Sequence, residues 1–513
     1  MTIDTLPIIP VIKSHNGILK TTLVATDKPT YVDNKLIHGL WTYNGFFSGP
    51  CLQVKPGDCV DITIKNNITV PINTHFHGMW MSPLGKADNV FIEAQPGKSL
   101  RSQFTVEKKH TRGLNWFHPH VHGYSDETIW RGLSGTFMVD GGVSKLSKYR
   151  NCRNRLLVFK GIELDPNAII PTMISANNVT SKNVKFTVNG VFNPTMVMYP
   201  RETQVWSIAN TANSGFLKIA IDNHSMTVLA EDGNPSFITR KVKEYLLSPG
   251  YRVELAITAS KKSGKYIFRT LGFNNYNNGI DKFEWTPQTL ATIYVKGTPS
   301  IPVSAPKKIM PIIHWLSKKP VKRRVITFSE SFNADTGTGP LFYINNKSYD
   351  HTDMHTSFNV TVNTVEEWTV RSDPSLKQGG RISGHPFHVH VANFAVVGRG
   401  TWNVKTGKAT SYECLKPYGL KDTILVPAFE YVVLRMKFEK FTGKTVFHCH
   451  ILFHQDNGMM GVFNIVNDDP EMSQNNHNND NHNNDNHNND NHNNDNHNNN
   501  HNNHNKNNMK TLK

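Results

Sequence analysis

His448-Cys449-His450-Ile451-Leu452-Phe453-His454-Gln455-Asp456-Asn457-Gly458-Met459 packs three imidazoles, a thiol and a thioether into one short peptide. In an extended strand, neighbouring side chains point to opposite faces. Cys449 then faces one way, and His448 and His450 face the other. One peptide can so touch two metal centres and carry electrons between them. His454 and Met459 lie further on, where a loop can fold back onto Cys449. A Cys thiolate, imidazoles and a weak Met thioether are the donor set of a blue-copper electron-transfer site. Such a site needs a second imidazole from elsewhere in the chain.

Three further clusters supply candidates. They are Thr74-His75-Phe76-His77-Gly78, Trp116-Phe117-His118-Pro119-His120-Val121-His122-Gly123 and His385-Pro386-Phe387-His388-Val389-His390. Each contains a His-x-His pair, which on a strand puts two imidazoles on one face. One such pair arises readily by chance. Four of them in one chain, one centred on a cysteine, form a specific signal. Zinc favours separate tetrahedra with several thiolates, yet only one cysteine stands in any cluster here. Imidazole-rich sites without carboxylate ligands suit copper. The clusters divide between the first and last parts of the chain, so facing surfaces of two domains could close one site.

The rest of the chain reads as strands and turns. At 513 residues it should hold more than one domain. Val60-Asp61-Ile62-Thr63-Ile64 alternates apolar with polar, as does Val253-Glu254-Leu255-Ala256-Ile257 with Ala256 taken as neutral. Val432, Leu434, Met436 and Phe438 share one face opposite Arg435, Lys437 and Glu439. These patterns predict half-buried antiparallel strands. A long-period repeat runs through them. Tyr43-Asn44-Gly45 leads into Leu52 to Asp58 and then Val60 to Ile64. Val188-Asn189-Gly190 leads into Met196 to Glu202 and then Val205 to Ile208. Ile344-Asn345-Asn346 leads into Phe358 to Thr364 and then Glu367 to Val370. Gly135 to Val139, Ala291 to Val295 and Gly461 to Val466 close the three copies. The reading is three β-sandwich domains, over 16–145, 150–300 and 320–468, with a linker from Thr298 to Arg324. Residues 469–513 are an Asn/His/Asp-rich repeat that cannot bury a core and is expected to be disordered; its histidines could bind metal loosely.

Bulk properties narrow the partners. Formal net charge is +16, with the basic residues scattered apart from Lys318 to Arg324. That cluster lacks interleaved aromatics, so it reads as a solvated linker, and no nucleic-acid partner is expected. No apolar run is long enough to span a bilayer. Leu6 to Ile12 is interrupted by Pro7 and Pro10, and no export signal is read at the N-terminus. An intracellular or particle-associated protein fits that reading. Cys51, Cys59, Cys152, Cys414 and Cys449 are too few for a disulfide framework. Cys51 and Cys59 could pair, but read better as separate buried thiols.

In order and spacing the four motifs resemble those of the multicopper oxidases, the family of laccases, ascorbate oxidase and ferroxidases. The resemblance spans roughly Gly39 to Val466 and looks nearest to bacterial laccase-like and copper-efflux members. It implies an all-β fold of three consecutive cupredoxin-like Greek-key sandwiches and four copper ions. The type 1 ion would take His385, Cys449 and His454, with Met459 axial. The type 2 ion would take His75 and His388. The type 3 pair would take His77, His118, His120, His390, His448 and His450. His122 matches no ligand position of the pattern and reads as a structural residue. His38, His224 and His314 read as ordinary histidines.

The implied activity is one-electron oxidation of a small reducing substrate, coupled to reduction of dioxygen to two waters. Cys449, His448 and His450 would carry the electrons. Asp88, in Ala87-Asp88-Asn89, falls where the family has an outer-sphere carboxylate. It is expected either to relay protons or to cap its own turn. Copper-efflux members often have a carboxylate directly after the last type 1 histidine; here that residue is Gln455, and Asp456 follows. No Met-rich cluster stands between Val325 and Val466, which favours phenols or aromatic amines over a dedicated cuprous substrate. Cuprous or ferrous oxidation is the alternative. An axial Met implies a modest type 1 potential. A monomer is expected. A non-enzymatic copper-binding scaffold is the competing class, although every ligand is intact. Copper nitrite reduction ranks last, because that class lacks the full set of His-x-His pairs.

Overall fold

Three asparagines set the turn that opens each repeat. Asn44, Asn189 and Asn345 have φ of 54, 53 and 51°, and the residues after them, Gly45, Gly190 and Asn346, are also left-handed. Asn and Gly enter this region at least cost. Each Asn side chain then accepts the same bond at 2.8 Å: from Val24 N to Asn44 Oδ1, Val158 N to Asn189 Oδ1, and Thr327 N to Asn345 Oδ1. The turn is thus fastened to the neighbouring strand in three equivalent places.

This computed structural model describes residues 3–467 except Pro166, 171–182, 276–283, 332–340, 353–355, 374–382 and Val404. The Asn/His repeat lies outside the described residues. Strand pairing repeats as the turns do. Ile18–Thr26 runs parallel to Cys59–Asn67, Arg153–Ile162 to Thr203–Asn210, and Lys322–Ser331 to Val365–Asp373. On the facing sheets, Cys51–Val54 runs parallel to Gly135–Val139, Thr195–Met198 to Gln288–Val295, and Thr356–Thr361 to Met460–Val466. Each sandwich is completed by antiparallel strands, giving sheets of four and five strands, six and five, and seven and five. The chain is therefore all-β, with three consecutive cupredoxin-like sandwiches. Leu23, Ile62, Phe76, Phe117 and Phe137 fill the first core. Trp206, Phe268, Trp368, Phe387, Phe447 and Phe463 belong to one apolar cluster that runs through the second and third.

Three expectations need correction. Arg252–Thr258 is buried on both faces as far as Ile257, not on one. Its second face packs on the first sandwich, where Arg252 Nε reaches Leu114 O at 3.4 Å. The basic cluster is not all linker. Lys322 begins a strand, in which Arg323 pairs with Glu367 and Arg324 with Glu366 at 3.0 and 2.6 Å. Cys51 and Cys59 are both free, but only Cys51 is buried.

Candidate metal centre

Two strand pairs bring the motifs together. His75–His77 lies antiparallel to Gly113–His118, with His75 opposite His118 and His77 opposite Trp116. His385–Val389 lies antiparallel to Gly443–Cys449, with His388 opposite His448 and Phe387 opposite Cys449. These pairs meet across the seam between the first and third sandwiches, where His75 and His390 stack with ring centroids 3.7 Å apart. His77 and His388 do the same, also at 3.7 Å. All ten expected imidazoles are at most 4% exposed, and Cys449 and Met459 are fully buried.

The strand places Cys449 on its own. Its Sγ lies 3.6 Å from His385 Nδ1 and 3.7 Å from His454 Nδ1, and those two nitrogens are 3.3 Å apart. His454 sits on the short helix Leu452–Asp456, which returns the chain over the thiol as a loop was expected to do. Met459 closes it, donating its N–H to His454 O at 2.8 Å while its carbonyl accepts from Cys449 N at 3.1 Å. Phe342 stacks on the His454 ring at 4.2 Å. Glu330 Oε1 lies 3.3 Å from His385 Nε2.

The other eight imidazoles lie across the strand from the thiol. His75 Nε2 faces His388 Nε2 at 3.4 Å, and His448 Nε2 faces His120 Nε2 at 3.1 Å and His390 Nε2 at 3.3 Å. His75, His388 and His390 form one set of donor atoms that could hold an ion, and His120, His390 and His448 form another. The remaining three converge less tightly. Ring centroids of His77, His118 and His450 are 4.9 to 6.0 Å apart. Nε2 of each is buried with no hydrogen-bond partner among the described residues. His77 Nδ1 approaches Arg252 Nη1 at 3.1 Å and Asp422 Oδ2 at 3.6 Å. Its neighbour Gly78 has φ +91, and a Cβ there would strike Arg252, Asn115 and Asp422.

Partners on the outer nitrogens fix the tautomers. His118 Nδ1 faces Pro119 O at 2.8 Å, His388 Nδ1 faces Asp422 O at 2.8 Å, and His448 Nδ1 faces Cys449 O at 3.0 Å. A carbonyl only accepts, so each Nδ1 carries the proton and each Nε2 is bare. His75 Nδ1 likewise faces Asp88 Oδ1 at 2.8 Å. Two bare nitrogens such as those of His75 and His388 cannot hydrogen-bond to each other; a cation between them satisfies both. Burial pushes nine of the ten imidazoles below their ordinary pKa, His385 to about 3 and His120 and His388 to about 4. They are neutral ligands in waiting. The donor set, imidazole with one thiolate and one thioether, fits copper.

Asp88 does not cap its own turn. Its Oδ1 accepts from Phe76 N at 3.0 Å, and its Oδ2 lies 3.3 Å from His390 Nδ1. Gln455 Nε2 donates to Ser125 Oγ at 2.9 Å, and Asp456 Oδ2 accepts from Asp126 N at 2.7 Å. The helix carrying His454 is thereby latched to the start of the helix Ser125–Trp130, which follows His118 and His120. His122 stands apart from the ten, against Tyr349. His38 and His314 are exposed, and His224 bonds to Asp222 O and Ser260 N. Sequence reasoning missed Glu330, Asp422 and Arg252, single charges in strand-like runs that no spacing rule marks.

Three family models, each described as multicopper oxidase, match residues 25–143, 161–296 and 318–469. The multicopper oxidase mco of Staphylococcus haemolyticus is 25% identical over 475 residues, covering 89% of this chain and 90% of that relative. Bilirubin oxidase of Albifimbria verrucaria is 24% identical, covering 82% of this chain and 72% of that protein. Among solved structures, a multicopper oxidase from Campylobacter jejuni described as a metallo-oxidase superposes with a TM-score of 0.74 at 25% identity, over 90% of this chain and 94% of that one.

Proposed function

From the premise that this chain belongs to the multicopper oxidase family, we propose that its imidazole clusters hold four copper ions in the family's three site types. The protein is a copper-dependent oxidase that couples one-electron oxidation of a reducing substrate to four-electron reduction of dioxygen to water. In this reading His385, Cys449, His454 and axial Met459 form the type 1 site. His75 and His388 form the type 2 site, and His77, His118, His120, His390, His448 and His450 hold the type 3 pair. Sandwich boundaries at 16–145, 150–300 and 320–468 go with it. Every proposed ligand comes from one chain, which supports a monomeric working unit. No helix among the described residues is long and apolar enough to cross a membrane.

The observation that carries the ligand assignment is the set of bare, buried Nε2 atoms facing one another at 3.1 to 3.4 Å. Copper bound there supplies one-electron redox chemistry and reactivity towards dioxygen. The chain's own residues supply the rest. Cys449 is bonded through the backbone to His448 and His450, so the thiol and the inner imidazoles share one short covalent route. Glu330 holds the outward Nε2 of His385. Asp88 orients His75 and His390 and offers a carboxylate to carry protons inward. Burial of the cluster, with His75 2% and His448 0% exposed, keeps bulk water away from the reacting oxygen.

Phenols and aromatic amines are the first substrate class. Metal-ion oxidation is the second reading, supported by the 25% identical relative described as a metallo-oxidase. The test uses copper-loaded protein: four coppers per chain, a blue thiolate band and oxygen uptake are expected. Cys449→Ser should abolish the band and the uptake together. A blue band that survives this change would remove Cys449 from the type 1 site.

A further inference from the structure

We propose that a basic cleft across the seam of the first and third sandwiches binds a flat aromatic polyanion, a ring system carrying sulfonate, sulfate or carboxylate groups. The cleft has a volume of about 610 Å3, within the range of small-molecule sites, about 300–1,000 Å3. Trp80, Glu107, Lys108 and Lys109 line it from the first sandwich, and Lys437, Glu439 and Lys440 from the third. Four ammonium groups so meet two carboxylates. Lys437 Nζ pairs with Glu439 Oε1 at 2.5 Å, and Lys440 Nζ pairs with Glu107 Oε1 at 2.5 Å across the seam. Both carboxylates are thereby engaged, which leaves the exposed Lys108 and Lys109 without an ion pair among the described residues. Like charges on neighbouring residues repel, and an anion between them relieves that repulsion.

Trp80 adds a fixed apolar surface among these charges. Its backbone N donates to His110 Nε2 at 2.9 Å, and its indole Nε1 donates to Glu439 O at 3.3 Å. His110 is 4% exposed, and its Nδ1 faces Thr111 O at 2.6 Å. A carbonyl only accepts, so Nδ1 carries the proton and Nε2 accepts from Trp80. Phe441 meets the indole edge-on, with ring centroids 5.5 Å apart. The indole is thus held from both sandwiches and needs no ordering when a ligand arrives. Lysines alone attract any anion; the indole selects one with a flat ring. A ligand lying there touches both sandwiches, so its binding also holds them together.

The experiment uses the full-length, copper-loaded protein. Naphthalene trisulfonate is the probe, because sulfonates are poor copper ligands, and it is titrated by calorimetry at an ionic strength of about 0.15 M. One probe per chain should bind. At about a hundredfold excess over Kd it should raise the melting temperature by about 2 °C or more. Lys108→Glu combined with Lys109→Glu, both at exposed side chains, should weaken binding at least about tenfold and remove the rise, with copper content unchanged. Lys261→Glu combined with Lys262→Glu makes the same charge change at exposed positions of the second sandwich and should weaken binding less than about twofold. Propane tricarboxylate, a trianion without a ring, should bind wild-type protein at least about tenfold more weakly than the probe. Equal weakening in the two double variants would mean that net charge alone attracts the anion, and would overturn the proposal. So would equal affinity for the two anions, or no binding of the probe.

Discussion

Asp88 marks the limit of what a residue's neighbours in sequence can say. The ten histidines, Cys449 and Met459 could be picked out one by one as candidate ligands, because metal ligation constrains residue type and spacing together. Asp88 was legible only as a choice between a turn cap and a carboxylate serving the metal site. Its reach supports the second reading: Phe76 N, His75 Nδ1 and His390 Nδ1 all lie within 3.3 Å of its oxygens. Those partners belong to two sandwiches, so no local pattern could announce them. Asp88→Asn keeps the shape but replaces one acceptor oxygen with a donor. Oxygen uptake should fall roughly 10- to 100-fold, with copper content near four per chain and the blue band unchanged. Unaltered turnover would remove Asp88 from proton delivery.

At the scale of elements, the repeated Asn turns were visible because the left-handed conformation selects Asn and Gly. Burial of whole strands was not visible, because alternation describes only one packed face. Arg153–Ile162 shows the consequence. Its Lys160 is 2% exposed, and Nζ donates to Gly132 O and Ser134 Oγ at 2.6 Å. Burial lowers the Lys160 pKa to about 7, whereas an unfolded lysine titrates near about 10.4. Below about pH 7 both states hold the proton, and the burial penalty stands in full. Between those values the unfolded chain holds the proton and the folded one does not, so stability rises with pH. Lys160→Met should remove that rise. Thermal melts from pH 7 to 9.5 should show a variant less dependent on pH than the wild type, with the gap between them changing most in that window. Parallel curves would mean that Lys160 titrates normally.

At the scale of the molecule, the middle sandwich gives no histidine to the site and yet holds it. Arg252, 1% exposed, sends Nη1 and Nη2 to the two Asp422 oxygens at 2.9 and 2.5 Å. Its backbone N donates to Asp232 Oδ1 at 3.1 Å, and Lys421 Nζ pairs with Asp232 Oδ2 at 3.1 Å. Asp422 in turn holds His388 through its carbonyl, while Arg252 touches His77 directly. One guanidinium therefore ties all three sandwiches to imidazoles from the first and the third. Sequence patterns record pairing within a domain, and this joint forms only when three domains dock. Removing one partner of a buried ion pair typically costs about 3–5 kcal/mol, because the other charge is stranded. Arg252→Met should therefore lower the melting temperature. It should also deplete copper selectively: the Cys449 site keeps its blue band, while total copper falls below four per chain. Adding Asp422→Asn removes the stranded charge and should recover part of the stability. Copper should stay low, since the contact of Arg252 with His77 and its pairing with Asp422 beside His388 are both gone. Equal loss of the blue band and of total copper would reduce Arg252 to a general support of the fold.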